Sequence, residues 1–167
     1  MQKAKTVLIL DTDYDTTVAA TDLFQWMFRE FSLLVANKAE DGIKIANENP
    51  IDLIVMDLFV VDGIKISEDL GDQSDLPIRT VFLKEKLHGD QIIEEIKKYR
   101  PQAKIMICST ESPHDWRDFT LIDQRVAARR VLDLGFDGFL PKPIDPDAFI
   151  KMVENLMNIK AKKKLEL

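Results

Sequence analysis

Ile51-Asp52-Leu53-Ile54-Val55-Met56-Asp57 follows a break at Asn49-Pro50 and closes on a carboxylate. Its centre, Leu53–Met56, is apolar without alternation, the look of a strand covered on both faces. Upstream, Ala39, Ile43 and Ala46 mark a short helix, and Ser32–Ala36 reads as another strand. Before that, Ala20, Leu23, Phe24, Met27, Phe28 and Phe31 recur at three-and-four spacing, one helical stripe, preceded by a strand at Thr6–Leu10. Downstream, Ile92, Ile93 and Ile96 mark a helix ended by Pro101, then a strand at 104–108 (KIMIC). A helix over 125–134 stops at Gly135, a fifth strand spans 136–140, and a last helix follows Pro146. Strand and helix alternate five times, which predicts an α/β domain with a parallel sheet and helices on both faces. Right-handed crossovers leave a flavodoxin-like, doubly wound, five-stranded sheet as the natural choice.

Two stretches exceed a minimal chain of this kind. Residues 58–88 separate the third strand from the next helix and carry two strand-like runs, so an inserted hairpin-like segment is expected there. Residues 111–124 hold Pro113, His114 and Trp116. Both follow the carboxyl end of a strand and belong over the crevice. The organisation is a single domain over 1–160, with 161–167 as a tail or linker. The basic run Lys160 to Lys164 (broken only by Ala161) reads as a solvated end.

The net charge of −6 argues against a nucleic-acid surface. No apolar run approaches the roughly 20 residues of a membrane span, and the opening residues are too short for a signal peptide. Cys108, the one cysteine, lies in an apolar strand and reads as a reduced, inert thiol, with a cytoplasmic location the expectation.

Polar residues stand at the carboxyl ends of four strands: Asp11-Thr12-Asp13, Asp57, Ser109-Thr110 and Lys142-Pro143. Singly each is weak, since an aspartate after a strand is usually a turn or helix cap and a lone lysine a surface group. As an ordered set they are specific. Converging carboxylates suit a hard divalent cation such as Mg²⁺, and a lysine with a hydroxyl beside them can hold phosphoryl oxygens. His88 and His114 have no ligand partner at metal spacing and read as loop residues. Trp26 and Trp116 fit partial burial as well as partner contact. No Gly-rich phosphate loop is present.

VLILDTDYD at the start, IDLIVMD around Asp57 and GFDGFLPKPID near the end resemble the receiver domains of two-component response regulators, over nearly all the chain except the two added stretches. The resemblance implies a phosphoryl-accepting switch, not an enzyme. Asp57 would be the phosphoacceptor, Lys142 its phosphate contact across a cis bond to Pro143, Ser109 the hydroxyl that moves to meet the phosphate, and Phe139 the aromatic that follows. Asp11, Asp13, Asp57 and the backbone carbonyl of Phe59 would hold Mg²⁺. The implied partners are a histidine kinase or phosphotransfer protein and a downstream target or effector domain. A homodimer through the fourth helix, fifth strand and fifth helix is a further expectation.

The chain departs from that family at marked places. Thr12 stands where a second acid is usual, which implies weak Mg²⁺ binding. The Met-Pro-Gly-like turn after the phosphoacceptor is absent, and the glycine opening the third helix is Gly89 or, in another register, Gly63. A degenerate receiver acting as a phosphorylation-independent interaction module is therefore the alternative. A rival from another class is a haloacid-dehalogenase-like phosphatase, with Asp11 as nucleophile and Asp13 as general acid. Against it stand Tyr14 where a small residue is favoured, the lack of a further acidic strand end, and an Asp57 without a role.

Overall fold

Each apolar run is a strand whose alternate side chains feed two separate cores. In the computed structural model, which describes residues 4–58, 89–110, 112–114 and 122–161, β1 (Thr6–Leu10), β2 (Ser32–Ala36), β3 (Leu53–Met56), β4 (Lys104–Ser109) and β5 (Gly138–Pro141) form one sheet. The order is β2-β1-β3-β4-β5, with every pairing parallel. Val7, Ile9, Leu53, Val55, Met106 and Cys108 face one side, against α1 (Tyr14–Met27) and α5 (Pro146–Met157). Leu8, Leu10, Ile54, Met56, Ile105 and Ile107 face the other, against α2 (Ala39–Glu48), α3 (Gly89–Tyr99) and α4 (Ile122–Leu134). The period of two thus hides inside continuous apolar strings because both faces are covered. The fold is the expected flavodoxin-like α/β sheet.

The helix ends follow local chemistry. Asp13 caps α1 by accepting the N–H of Asp15, and Asp145 caps α5 by accepting the N–H of Ala148, with Pro146 in the first turn. Past α4, Gly135 takes φ +77°, a conformation that favours glycine. The apolar stripe of α1 outlasts the helix: Phe31 lies beyond it yet still packs edge-on to Phe24, at 5.7 Å between ring centres. The expected fifth strand at 136–140 is displaced, because Asp137 turns its carboxylate back to the N–H of Ile105 at 2.8 Å and pairing begins at Gly138. The fourth helix starts at Ile122 rather than 125. No glycine or proline interrupts 122–134, so residues 122–124 belong to it and not to the loop.

Gly89 opens α3, which decides the register. Its N–H donates to the carbonyl of Leu58 at 2.8 Å, and a Cβ there would sit 2.5 Å from the same oxygen. The two ends of the long stretch after β3 are therefore hydrogen-bonded neighbours. The expected hairpin, Phe59, Gly63 and His88 lie outside the described residues, as do Trp116 and 162–167. Among the described residues no helix is long and apolar enough to cross a membrane.

Candidate functional site

The parallel sheet points the carboxyl ends of β1, β3 and β5 the same way, β1 next to β3 and β5 one strand further on beyond β4, and the residue that follows each of the three meets the others in one crevice. Lys142 is the hub. Its Nζ lies 2.8 Å from Asp11 Oδ2 and 3.2 Å from Asp57 Oδ2. All three are sheltered, with side-chain exposures of 8% for Lys142, 2% for Asp11 and 18% for Asp57. The backbone holds them in register: the N–H of Asp57 donates to Leu10 and that of Lys142 to Ser109, and the Lys142–Pro143 bond is cis.

Polar satisfaction within the crevice is uneven. Asp57 Oδ1 accepts the N–H of Leu58 at 2.7 Å, and Asp11 Oδ1 accepts the N–H of Asp13 at 2.8 Å. The contact of Asp11 Oδ2 with Lys142 is an ion pair whose angles miss those of a hydrogen bond, so this buried oxygen has no aligned donor among the described residues. Burial pushes the carboxyls of Asp11 and Asp57 above the ordinary aspartate range, and Lys142 offsets only part of it. Burial works against the Lys142 ammonium too, but the two carboxylates outweigh it and the net shift is upward. On the α1 side of β4, Cys108 is pushed up to about 12 by burial, with the charge of Asp11 adding to it, which keeps it a thiol.

Asp13 faces elsewhere. It is half-exposed, accepts the hydroxyl of Thr16 at 2.6 Å, and stands 4.0 Å from Lys142. Its carboxyl is held below the ordinary range chiefly by Thr16. Thr12 is exposed and lines, with Asp11 and Asn37, an open cavity of about 710 Å³. Ser109 is buried where β4 ends, and Phe139 packs into the core beneath α3 and α4. His114 is exposed, as is Trp26. Among the described residues no group of three or more histidine, cysteine or acidic side chains forms a ready metal cluster. What stands ready is a pair, Asp11 and Asp57, bridged by one amine. Sequence reading singled out Gly89 only as the opening of a helix and gave no role to Leu58, Asp90 and Arg130, which the structure links to it by a hydrogen bond, a peptide bond and an ion pair. Asp90 could have been noticed as an acid among the isoleucines of its helix.

The same architecture recurs in solved response-regulator structures. A CheY-like receiver domain protein from Methanospirillum hungatei superposes with TM-score 0.59 at 19% identity, over 92% of this chain and 94% of the other. The receiver domain of a putative LuxO repressor protein from Vibrio parahaemolyticus gives TM-score 0.61 at 15% identity, over 92% and 90%. A two-component response regulator from Clostridium difficile gives 0.61 at 17%, over 92% and 96%. In sequence, no family model and no curated protein matches the chain. The fold is that of response-regulator receiver domains.

Proposed function

We propose that this domain accepts a phosphoryl group on Asp57 and passes the event to a protein partner. The observation that carries the reading is the contact of Asp57 with Lys142 in a crevice shared with Asp11. The donor is a phosphohistidine of a histidine kinase or phosphotransfer protein. A carboxylate oxygen of Asp57 attacks phosphorus, the P–N bond breaks, an acyl phosphate forms, and the imidazole leaves with a proton from solvent. Lys142 then turns from the carboxylate to the phosphoryl oxygens, and Ser109 supplies a hydroxyl beside them. Strain in that rearrangement reaches Phe139 and the α4–β5–α5 face, where a downstream target or a second copy docks.

Asp11 and Asp57 suit one Mg²⁺, since Asp11 Oδ2 is buried without an aligned donor among the described residues and such an ion keeps several waters. Bound there, it would screen the carboxylates from the incoming phosphoryl oxygens. With Asp13 engaged at α1 and Thr12 uncharged, binding is weak. The domain works in the cytoplasm, and its own chemistry ends at phosphoryl acceptance.

A second reading, a degenerate receiver that binds partners without phosphate, draws on the same use of Asp13 as a cap. Mass spectrometry after incubation with acetyl phosphate and Mg²⁺ separates the two. We expect a labile adduct on wild type and none on Asp57→Asn. An unlabelled wild type would select the degenerate reading, and a stable adduct on Asp11 the phosphatase.

A further inference from the structure

Asp90, on α3, is a buried charge that the phosphoryl chemistry above does not use. It is 3% exposed. Its Oδ2 lies 3.3 Å from a guanidinium nitrogen of Arg130 on α4, and its Oδ1 is buried with no hydrogen-bond partner among the described residues. Arg130 also bonds Glu94, one turn along α3. A pair with a half-exposed arginine contributes little on its own. Here the carboxylate end is buried, so taking the arginine away strands a charge.

The position of Asp90 gives the pair its reach. The preceding residue, Gly89, donates its N–H to the carbonyl of Leu58 at 2.8 Å, with no room for a Cβ between them. Leu58 in turn donates its own N–H to Asp57 Oδ1 at 2.7 Å. From Asp57 to Leu58, Gly89, Asp90 and Arg130, each step is a peptide bond, a hydrogen bond or an ion pair, and it ends on α4. This path avoids β4, β5, Ser109 and Lys142 altogether.

We propose that the Asp57–Leu58–Gly89–Asp90–Arg130 path couples α4 to Leu58, the residue after Asp57, with Arg130 as a positioning residue for the Leu58–Gly89 contact. Its trigger rests on the phosphoacceptor reading, but its geometry does not. A purely structural pair would tie α3 to α4 and leave Leu58 indifferent to Arg130.

The test is residue-resolved amide hydrogen exchange on the whole chain. In Arg130→Gln the amides of Leu58 and Gly89 are expected to exchange about tenfold faster, with those of Ile9 and Leu10 in β1 unchanged as a check on global stability. Asp90→Asn removes the stranded charge and carries the same test if Arg130→Gln is too unstable. Leu58 and Gly89 within about twofold of wild type, with α4 loosened, would overturn the coupling. In the other direction, beryllofluoride with Mg²⁺ should change α4 exchange severalfold in wild type and much less in Arg130→Gln, while its bound fluorine signal persists in both. An equal α4 response in the two proteins also overturns it. A missing fluorine signal in wild type counts against phosphoryl acceptance instead, and the Leu58 and Gly89 amides still decide the coupling.

Discussion

The two ends of the sheet carry similar residues to opposite effect. At the amino ends, Asp52 accepts the N–H of Thr6 at 2.8 Å, and Asp137 accepts that of Ile105 at 2.8 Å while meeting Lys104. Lys5 caps the carbonyl of Met157, and Arg100 that of Asn49. These charges finish backbone hydrogen bonding where strands begin and helices end. At the carboxyl ends, Asp11 and Asp57 share one ammonium, and one buried oxygen has no aligned donor among the described residues. An aspartate that fills a backbone vacancy is structural. Two that share a single ammonium in low dielectric hold charge ready for a cation or phosphoryl group.

Removing Lys142 breaks the carboxyl end hardest. Lys142→Met leaves two buried carboxylates facing each other and should lower stability by about 3–5 kcal/mol at neutral pH, read from urea unfolding. The sign of its pH dependence follows from the raised carboxyls. A carboxyl whose folded pKa exceeds its unfolded value, 3.8 for Asp11 and Asp57, binds its proton more tightly when folded. Its contribution is therefore most favourable in acid and declines as pH climbs to and through the folded pKa. Lys142 restrains that decline, so the variant should be more stable at about pH 5 than at about pH 7.5. A variant weakest at the lower pH would mean the two carboxylates are not sheltered together.

Asp137→Ala attacks the amino end. The N–H of Ile105 loses its acceptor at a strand start, a loss of about 1–3 kcal/mol. Labelling of Asp57 should be unchanged, since Asp137 lies at the opposite end of the sheet from the crevice. Reduced labelling of the folded variant would break the division between the two ends. Asp57→Asn should move stability the other way, by about 1 kcal/mol upward at neutral pH. It removes a buried charge beside Asp11 while Lys142 keeps Asp11 as its counter-ion. A fall like that of Asp137→Ala would place Asp57 among the structural acids.

Reading from sequence to site succeeds where backbone periodicity decides and fails where side-chain direction decides. The strands of β1 and β3 announce themselves by unbroken apolar runs, and Gly135 marks the end of α4. The meeting of Asp11, Asp57 and Lys142 follows from parallel pairing once those strands are placed. Asp13 is different: its spacing allows a turn toward the metal or toward the first turn of α1, and Thr16, three residues on, takes it. Spacing along one strand end does not say which hydroxyl a carboxylate will find. The displaced start of β5 has the same cause, with Asp137 bonding to Ile105, 32 residues away in the chain. The Asp90–Arg130 pair joins two helices 40 positions apart, and no local pattern links them.

The smallest expected effect sharpens the comparison at the crevice rim. Thr12 follows Asp11 but is exposed and lines the open cavity beside it. An acid at this place would add a charge near the Asp11–Asp57 pair without being buried itself. Its attraction for a cation there is that of a partly solvated charge, about 1 kcal/mol at short range. Thr12→Asp should therefore tighten Mg²⁺ binding by about fivefold, read by calorimetric titration or from the amide shifts of Asp11 and Leu58. Stability should scarcely change, because the new carboxylate keeps its water. Calcium would distinguish added charge from added geometry, since it tolerates irregular oxygen sets that Mg²⁺ does not. Equal tightening for both ions means that the new acid acts through charge alone. Tightening for Mg²⁺ only means that the new carboxylate joins the inner shell, and that the backbone after β1 can turn toward Asp57. No tightening for either would show that the cation meets Asp11 and Asp57 from the far side, with Thr12 facing only the cavity.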